Sequence, residues 1–300
     1  MNHAERDGSG GAWVRSGVVC IRSMHHEVKL NLPEGLWRAI QKRRAESGES
    51  IRHVVNAALA SHLEVEHRTL FQVSTSAALV RGIYDGAVTV ATLREHGDFG
   101  LGTFEHLDGE MIVLEGKFFQ VRSDGSVRVA ENTAQSPFAV VTRFAASEDV
   151  SIAGASDLPA LCEAIDKRRG SNNLFYAIRI DAHFERLRVR AACKSAEGVP
   201  LVEATSHQSE FEFSDVNGTL VGFWAPGYSA AFSIAGYHFH FLSADRSRGG
   251  HLLRCVAEGA RVQLQREGSF QVALPESTEF LKSDLTRDPS ADLEKAEKPH

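Results

Sequence analysis

Three turn-forming dipeptides, Asp108-Gly109, Glu115-Gly116 and Asp124-Gly125, recur at short and regular intervals, and no other feature of the chain restricts its fold as much. Glycine in the second place takes positive φ without steric cost, so each pair can close a hairpin between short strands. The segments 101–107, 110–114, 117–122 and 126–130 then read as an antiparallel meander. Further strands are expected at 174–180, 184–193, 209–213, 219–224, 229–242, 251–256, 260–265 and 269–273. Short helices are expected over 75–84 and 89–96, and Leu158, Leu161, Cys162 and Ile165 give 157–169 a helical period. No repeat of fixed period runs through the chain.

A chain of 300 residues, 43% hydrophobic and with net charge -6, has enough apolar surface for one large or two modest globular domains. The first residues carry no apolar stretch behind a basic start, and nowhere do about 18 apolar residues run together, so the expected location is cytoplasmic. Cys20, Cys162, Cys193 and Cys255 form no C-x-x-C pair, which excludes a zinc ribbon and argues against a disulfide framework. Mild acidity argues against wholesale nucleic-acid binding and leaves room for one small basic module.

Such a module is expected over residues 25–65, behind a loose tail, 1–24, that contains Gly8-Ser9-Gly10-Gly11. Val28, Leu30 and Leu32 alternate with Glu27, Lys29 and Asn31 as on an amphipathic strand, and Pro33 opens a helix carrying Leu36, Ile40 and Lys42-Arg43-Arg44. Gly48 is placed to end that helix and Ser50 to cap a second one, which carries Ile51, Val54, Val55, Ala58, Leu59 and Leu63. Strand, helix, helix in this order resembles the ribbon-helix-helix family of DNA-binding dimers. The resemblance implies that strands of two chains pair into a ribbon, with Glu27, Lys29 and Asn31 facing bases and Ser50 meeting phosphate. From Met24 to Leu63 there are six Lys or Arg against four Glu, so a module that only associates copies of the chain is the equal alternative.

The chemistry-bearing stretch is Gly236-Tyr237-His238-Phe239-His240-Phe241-Leu242, with His251 following after a loop that ends in Gly249-Gly250. On a strand, His238 and His240 project to one side, about 6 to 7 Å apart, and Tyr237, Phe239 and Phe241 fill the other. A return through two glycines can bring His251 to the same point. Three neutral imidazoles suit a catalytic zinc ion, whereas His-x-His alone is equally two solvated histidines. Spacing leaves both open.

Other candidates are weaker singly. The glycines of Gly97-Asp98-Phe99-Gly100-Leu101-Gly102-Thr103 do not read as a phosphate cradle, because strands and not a helix follow. Glu110 shares a strand face with Ile112 and Leu114, where a carboxylate needs a partner. Arg186, Arg188 and Arg190 share a face of a hairpin expected around Asp181, in isolation a solvated cationic stripe. From Asp284 onward the composition is that of a disordered tail.

From Phe71-Gln-Val-Ser-Thr to Leu281-Lys-Ser-Asp the chain resembles acetolactate decarboxylases. The motifs are Gly97-Asp-Phe-Gly-Leu-Gly-Thr-Phe, Leu107-Asp-Gly-Glu, Asn173-Leu-Phe-Tyr-Ala-Ile-Arg, Val221-Gly-Phe-Trp-Ala-Pro and Gly236-Tyr-His-Phe-His-Phe. The resemblance implies an α/β (α+β) fold of two subdomains with mixed, mainly antiparallel β-sheets over 66–283, a C-terminal tail, 284–300, folding over the active site, and a homodimer. It implies Zn2+ on His238, His240 and His251, with Glu110, Arg190, Thr103 and Glu297 as active-site residues, Glu294 being the rival of Glu297. The reaction it implies is decarboxylation of 2-acetolactate to acetoin. The same residue types fit that reaction, since a metal and a fixed guanidinium can take up charge released with CO2 and a carboxyl can return a proton. Two other readings stand beside it. One is a regulator that senses a small keto acid and binds DNA through residues 25–65; the other is iron-dependent oxygen chemistry, which two histidines and a carboxylate suit better than three histidines.

Overall fold

The structure, a computed structural model, describes residues 14–15, 18–22, 27–47, 51–63 and 68–297. The expected glycine-rich tail at Gly8 to Gly11, the helix stop at Gly48 and the cap at Ser50 lie outside the described residues. Contacts divide the chain into two units, Met1–His67 and Arg68–His300. Among the described residues, no helix is long and apolar enough to cross a membrane.

In the first unit, β1 (Val14–Arg15), β2 (Val18–Arg22) and β3 (Glu27–Asn31) form an antiparallel sheet, followed by α1 (Glu34–Ser47) and α2 (Ile51–His62). The strand–helix–helix order is present, and Ile51 and Val55 pack with Leu30, Leu32, Trp37 and Ile40. β2 falls in the stretch read as a loose tail, where β-branched Val18, Val19 and Ile21 suit an extended chain. One edge of β3 is therefore paired within its own chain.

The second unit begins with β4 (Thr69–Val73), α3 (Ser76–Val80), β5 (Val88–Thr89), α4 (Val90–His96) and β6 (Phe99–Thr103). It continues through β7 (Glu110–Leu114), β8 (Lys117–Val121), β9 (Val127–Val129), β10 (Gln135–Ser136), β11 (Phe138–Thr142) and β12 (Glu148–Ile152). Then come α5 (Leu158–Asp166), β13 (Tyr176–Ala191), α6 (Leu201–Thr205), β14 (Ser209–Ala225), β15 (Gly236–Ser243) and β16 (Gly249–Arg266). β17 (Ser269–Ala273), α7 (Thr278–Lys282) and α8 (Ser290–Glu297) close it. One large sheet has the order β17-β4-β11-β6-β7-β8-β9, parallel only between β17 and β4; the other has the order β12-β16-β13-β14-β15 and is antiparallel, and β5 and β10 pair as a separate two-stranded ribbon.

The meander forms as its turns dictate. Glu115 and Gly116 both stand at positive φ, 55° and 74°, so β7 and β8 are joined by a two-residue turn whose twist matches the strands. The 101–107 strand ends early: Glu105–Leu107 is a 3-10 turn, and His106 and Leu107 have φ of 58° and 56°. The hairpin expected around Asp181 is absent, and so is the break expected between strands 209–213 and 219–224. The chain runs straight through Asp181 and through Asn217-Gly218, because β13 and β14 pair continuously from Tyr176↔Trp224 to Ala191↔Ser209. Asp181 behaves as a strand residue there, accepting from Thr219 Oγ1 at 2.6 Å and from Arg179 Nε at 2.9 Å. Glu258-Gly259 is likewise inside β16, where register shifts against β13 take up the irregularity.

Alternation then sorts the side chains into layers. Ile112 and Leu114 of β7 and Leu242 of β15 share the core between the two sheets, whereas Met111 and Val113 pack toward α4 and Phe239 and Phe241 toward α5. β16 pairs with β13 on one edge and, at its start, with β15 on the other, so four strands close into a ring at that end. The α8 segment, expected to be disordered on composition, is folded: Leu293 and Ala296 are buried in the inter-sheet core with Leu201 of α6.

Candidate metal centre

Ring closure assembles the histidines. His251 stands opposite His240 on β15 and opposite Arg190 on β13, while His238 lies two residues before His240 on the same face. Ligand atoms of His238, His240 and His251 all lie within 4.8 Å of one another, and His238 Nε2 is 3.1 Å from His251 Nδ1. Two nitrogens bound tetrahedrally at 2.0–2.1 Å to one ion stand about 3.3 Å apart, so this pair already has the required spacing.

The donor chemistry also fits a metal. His240 Nδ1 is 2.9 Å from the Met111 carbonyl oxygen, which can only accept, so Nδ1 carries the hydrogen and Nε2 keeps its lone pair. That Nε2 is buried and makes no hydrogen bond. A buried orphan nitrogen is costly, and an ion is the partner that relieves it. Burial pushes His238 and His240 down to about 3, the first helped by Arg190 and the second by His238. His251 is driven well below the ordinary value by burial, then by Arg190 and the other two rings. Burial thus favours the neutral imidazole at all three, the form that can ligate a metal.

Two carboxyls and a guanidinium complete the site. Glu110, at the start of β7, accepts the Ala192 N–H at Oε1 (3.0 Å) and sets Oε2 3.5 Å from His240 Nε2. Burial pushes its carboxyl up to about 7, against the lowering effects of Arg190 and the Ala192 hydrogen bond. Glu297 arrives from α8, with Oε2 3.5 Å from His251 Nε2, 3.7 Å from His238 Nε2 and 3.5 Å from Arg190. Burial raises it too, opposed by Arg190 and His240. Arg190 is 4% exposed and donates to the Ala296 carbonyl, which ties the tail to β13.

Six of the seven residues named from the sequence thus surround one point. Thr103 is the seventh: it stands beside Glu110 in the β6–β7 register and donates its hydroxyl hydrogen to the Gly109 carbonyl at 2.8 Å. The rival Glu294 is exposed on α8, whereas Glu297 is turned inward beside buried Ala296. Of the cationic stripe, Arg188 pairs outward with Glu210 and Glu212, and Arg190 alone is buried. The backbone groups of Met111 and Ala192 carry no sequence signal, because only strand pairing places them. A second group, Asp85, His106 and Glu197, also converges, but it is half-exposed and the Glu197 carboxylate accepts the Tyr84 N–H at 2.8 Å.

Residues 70–287 match the family model described as alpha-acetolactate decarboxylase. An alpha-acetolactate decarboxylase of Methylococcus capsulatus is 43% identical over 233 residues, covering 77% of this chain and 90% of that one. One of Methanosarcina mazei is 40% identical over 230 residues, covering 76% and 80%. The crystal structure of alpha-acetolactate decarboxylase from Bacillus subtilis strain 168 superposes with a TM-score of 0.75 at 35% identity, over 77% of this chain and 100% of that one.

Proposed function

The chain belongs to the alpha-acetolactate decarboxylase family, and we propose that it converts 2-acetolactate to acetoin and CO2 at the His238–His240–His251 centre with Zn2+ bound there. The observation that carries the metal is the buried, unpartnered Nε2 of His240 facing two more neutral imidazoles. His238, His240 and His251 would hold the zinc ion, which would supply Lewis acidity worth several kcal/mol where charge develops.

The protein groups divide the remaining work. Acetolactate has a ketone β to its carboxylate, so breaking the carbon–carboxylate bond sends the electron pair toward the ketone oxygen and leaves an enediol that needs a proton on carbon. Arg190, held by the Ala296 carbonyl, is a fixed donor fork for the departing carboxylate or the negative oxygen. Glu110 has one oxygen committed to Ala192 and one facing the histidines, so its free oxygen can hold the proton that carbon receives. Glu297 lies on the other side of the same point and is the second candidate donor. The helix that carries it is anchored through Leu293 and Ala296, which are buried in the inter-sheet core.

Metal analysis and an acetolactate assay test this reading. About one zinc per chain, release of CO2 and acetoin, loss of both products on chelation and their return with zinc are the expected results. Full turnover after complete removal of metal would overturn it. The N-terminal unit supports a second role by its strand–helix–helix order alone, and titration of operator fragments at low and high salt tests whether it meets DNA.

A further inference from the structure

Several side chains outside this chemistry close on the turn that delivers Glu110. Gln120, 3% exposed on β8, donates its amide hydrogen to the Asp108 carbonyl. Its Oε1 accepts from Arg128 Nε at 2.8 Å, and this fixes which end of the amide is oxygen and turns the NH2 toward Asp108. Thr103 Oγ1 holds the next carbonyl, that of Gly109, at 2.8 Å, and Arg122 grips the Asp108 carboxylate at 3.1 Å. The held segment is strained upstream: His106 and Leu107 occupy the left-handed region at φ 58° and 56°, a state that persists only where surroundings over-determine it. Gly109, at φ 89°, passes so close to the Val121 carbonyl that a Cβ would collide with it.

We propose that Gln120 is a positioning residue for the decarboxylation: oriented by Arg128, it holds the Asp108–Gly109 turn and so sets the Glu110 carboxylate against His240 Nε2. This rests on the reading of Glu110 as a group acting at the metal centre. Gln120 pairs in register with Met111, whose carbonyl orients His240, so one buried amide braces the strand that supplies both the carboxylate and the anchor of a histidine.

The isosteric variant Gln120→Glu separates this role from simple core packing. It keeps the acceptor for Arg128 but turns an oxygen toward the Asp108 carbonyl in place of a donor. We expect kcat to fall about 10-fold to 100-fold, as for a small misplacement of a reacting group, with KM and zinc content unchanged. Gln120→Leu gives the same split. Should neither variant fold, Arg128→Met, at an exposed position, is expected to show a smaller loss in kcat alone. Unchanged kcat in the folded, zinc-loaded Gln120 variants, or in Arg128→Met where those do not fold, overturns the proposal while wild-type activity stands. A wild-type protein inactive on acetolactate removes both this proposal and the functional reading beneath it.

Discussion

The two large sheets of the second unit follow opposite rules. In the β6–β9 meander the strands are short, three to five residues, and β7 and β8 end at the turn dipeptides Glu115-Gly116 and Asp124-Gly125 or within a few residues of them. In β13, β14 and β16, strands of 16 to 18 residues run through Asp181, Asn217-Gly218 and Glu258-Gly259 as if these carried no turn signal. The difference is partnership. A turn residue in β13 has a paired strand on each side, and the ladder hydrogen bonds outweigh its local preference, with bulges absorbing the misfit. The candidate metal centre draws on both regimes: β13 and β16 set Arg190 opposite His251, and β15 adds His240 opposite His251 with His238 two residues before it, whereas the meander presents Glu110 from a turn that needs side-chain bracing.

The sharpest contrast between the regimes is His240→Ala against Glu110→Gln. The histidine variant is expected to lose the metal and with it about a thousandfold or more in turnover, since several kcal/mol of charge stabilisation disappear. The glutamine variant is expected to keep the metal and lose about 10²-fold to 10⁴-fold in kcat, the range of a positioned acid. Metal analysis of both proteins beside single-turnover rates checks it; a Glu110→Gln protein without metal would show that the carboxylate is a required ligand and not a proton donor.

A smaller effect tests the third supplier, the tail. Leu293 is among the few anchors of α8, a helix of eight residues, so Leu293→Ala is expected to free Glu297 locally. Turnover should drop on the order of 10-fold to 100-fold while the melting temperature hardly moves. A global loss of stability equal to that of a core Leu→Ala substitution, about 2–5 kcal/mol, would show instead that α8 unfolds only together with the rest of the core.

The smallest effect concerns the link between the sheets. Glu267, 3% exposed, accepts from Gln265 Nε2 at 3.0 Å and leaves its other oxygen without a partner, and burial pushes it up to about 7. Folding therefore favours its protonated form. The stability it contributes is full below the ordinary value of 4.5 and is lost as pH rises through about 7. Glu267→Gln is expected to raise the melting temperature at pH 8 relative to wild type and leave it nearly unchanged at pH 4; equal curves at both pH values would remove Glu267 from the pH response.

Much of this was legible in the chain. Local turn chemistry marks β7, β8 and β9 within a residue or two, and the capping residues Thr75, Thr89 and Asp157 mark α3, α4 and α5. β4, β11 and β12 carry no such signal; Phe138-Ala-Val-Val-Thr, for one, is buried on both faces and shows no alternation. Period two along Gly236 to Leu242 placed two histidines on one face, and the family resemblance named their companions.

What the sequence determined by itself is therefore the local half of the protein: the meander's turns, the helix starts, the alternation of His238 and His240 and the residue types of a metal site. Only the tertiary structure decided that β16 pairs on both edges and so sets His251 between His240 and Arg190. It alone decided that Glu297 faces inward while Glu294 does not, and that the Met111 and Ala192 backbones orient a ring and a carboxylate. Those choices depend on pairing between residues as far apart as Met111 and His240, and local periodicity carries no information about such partners.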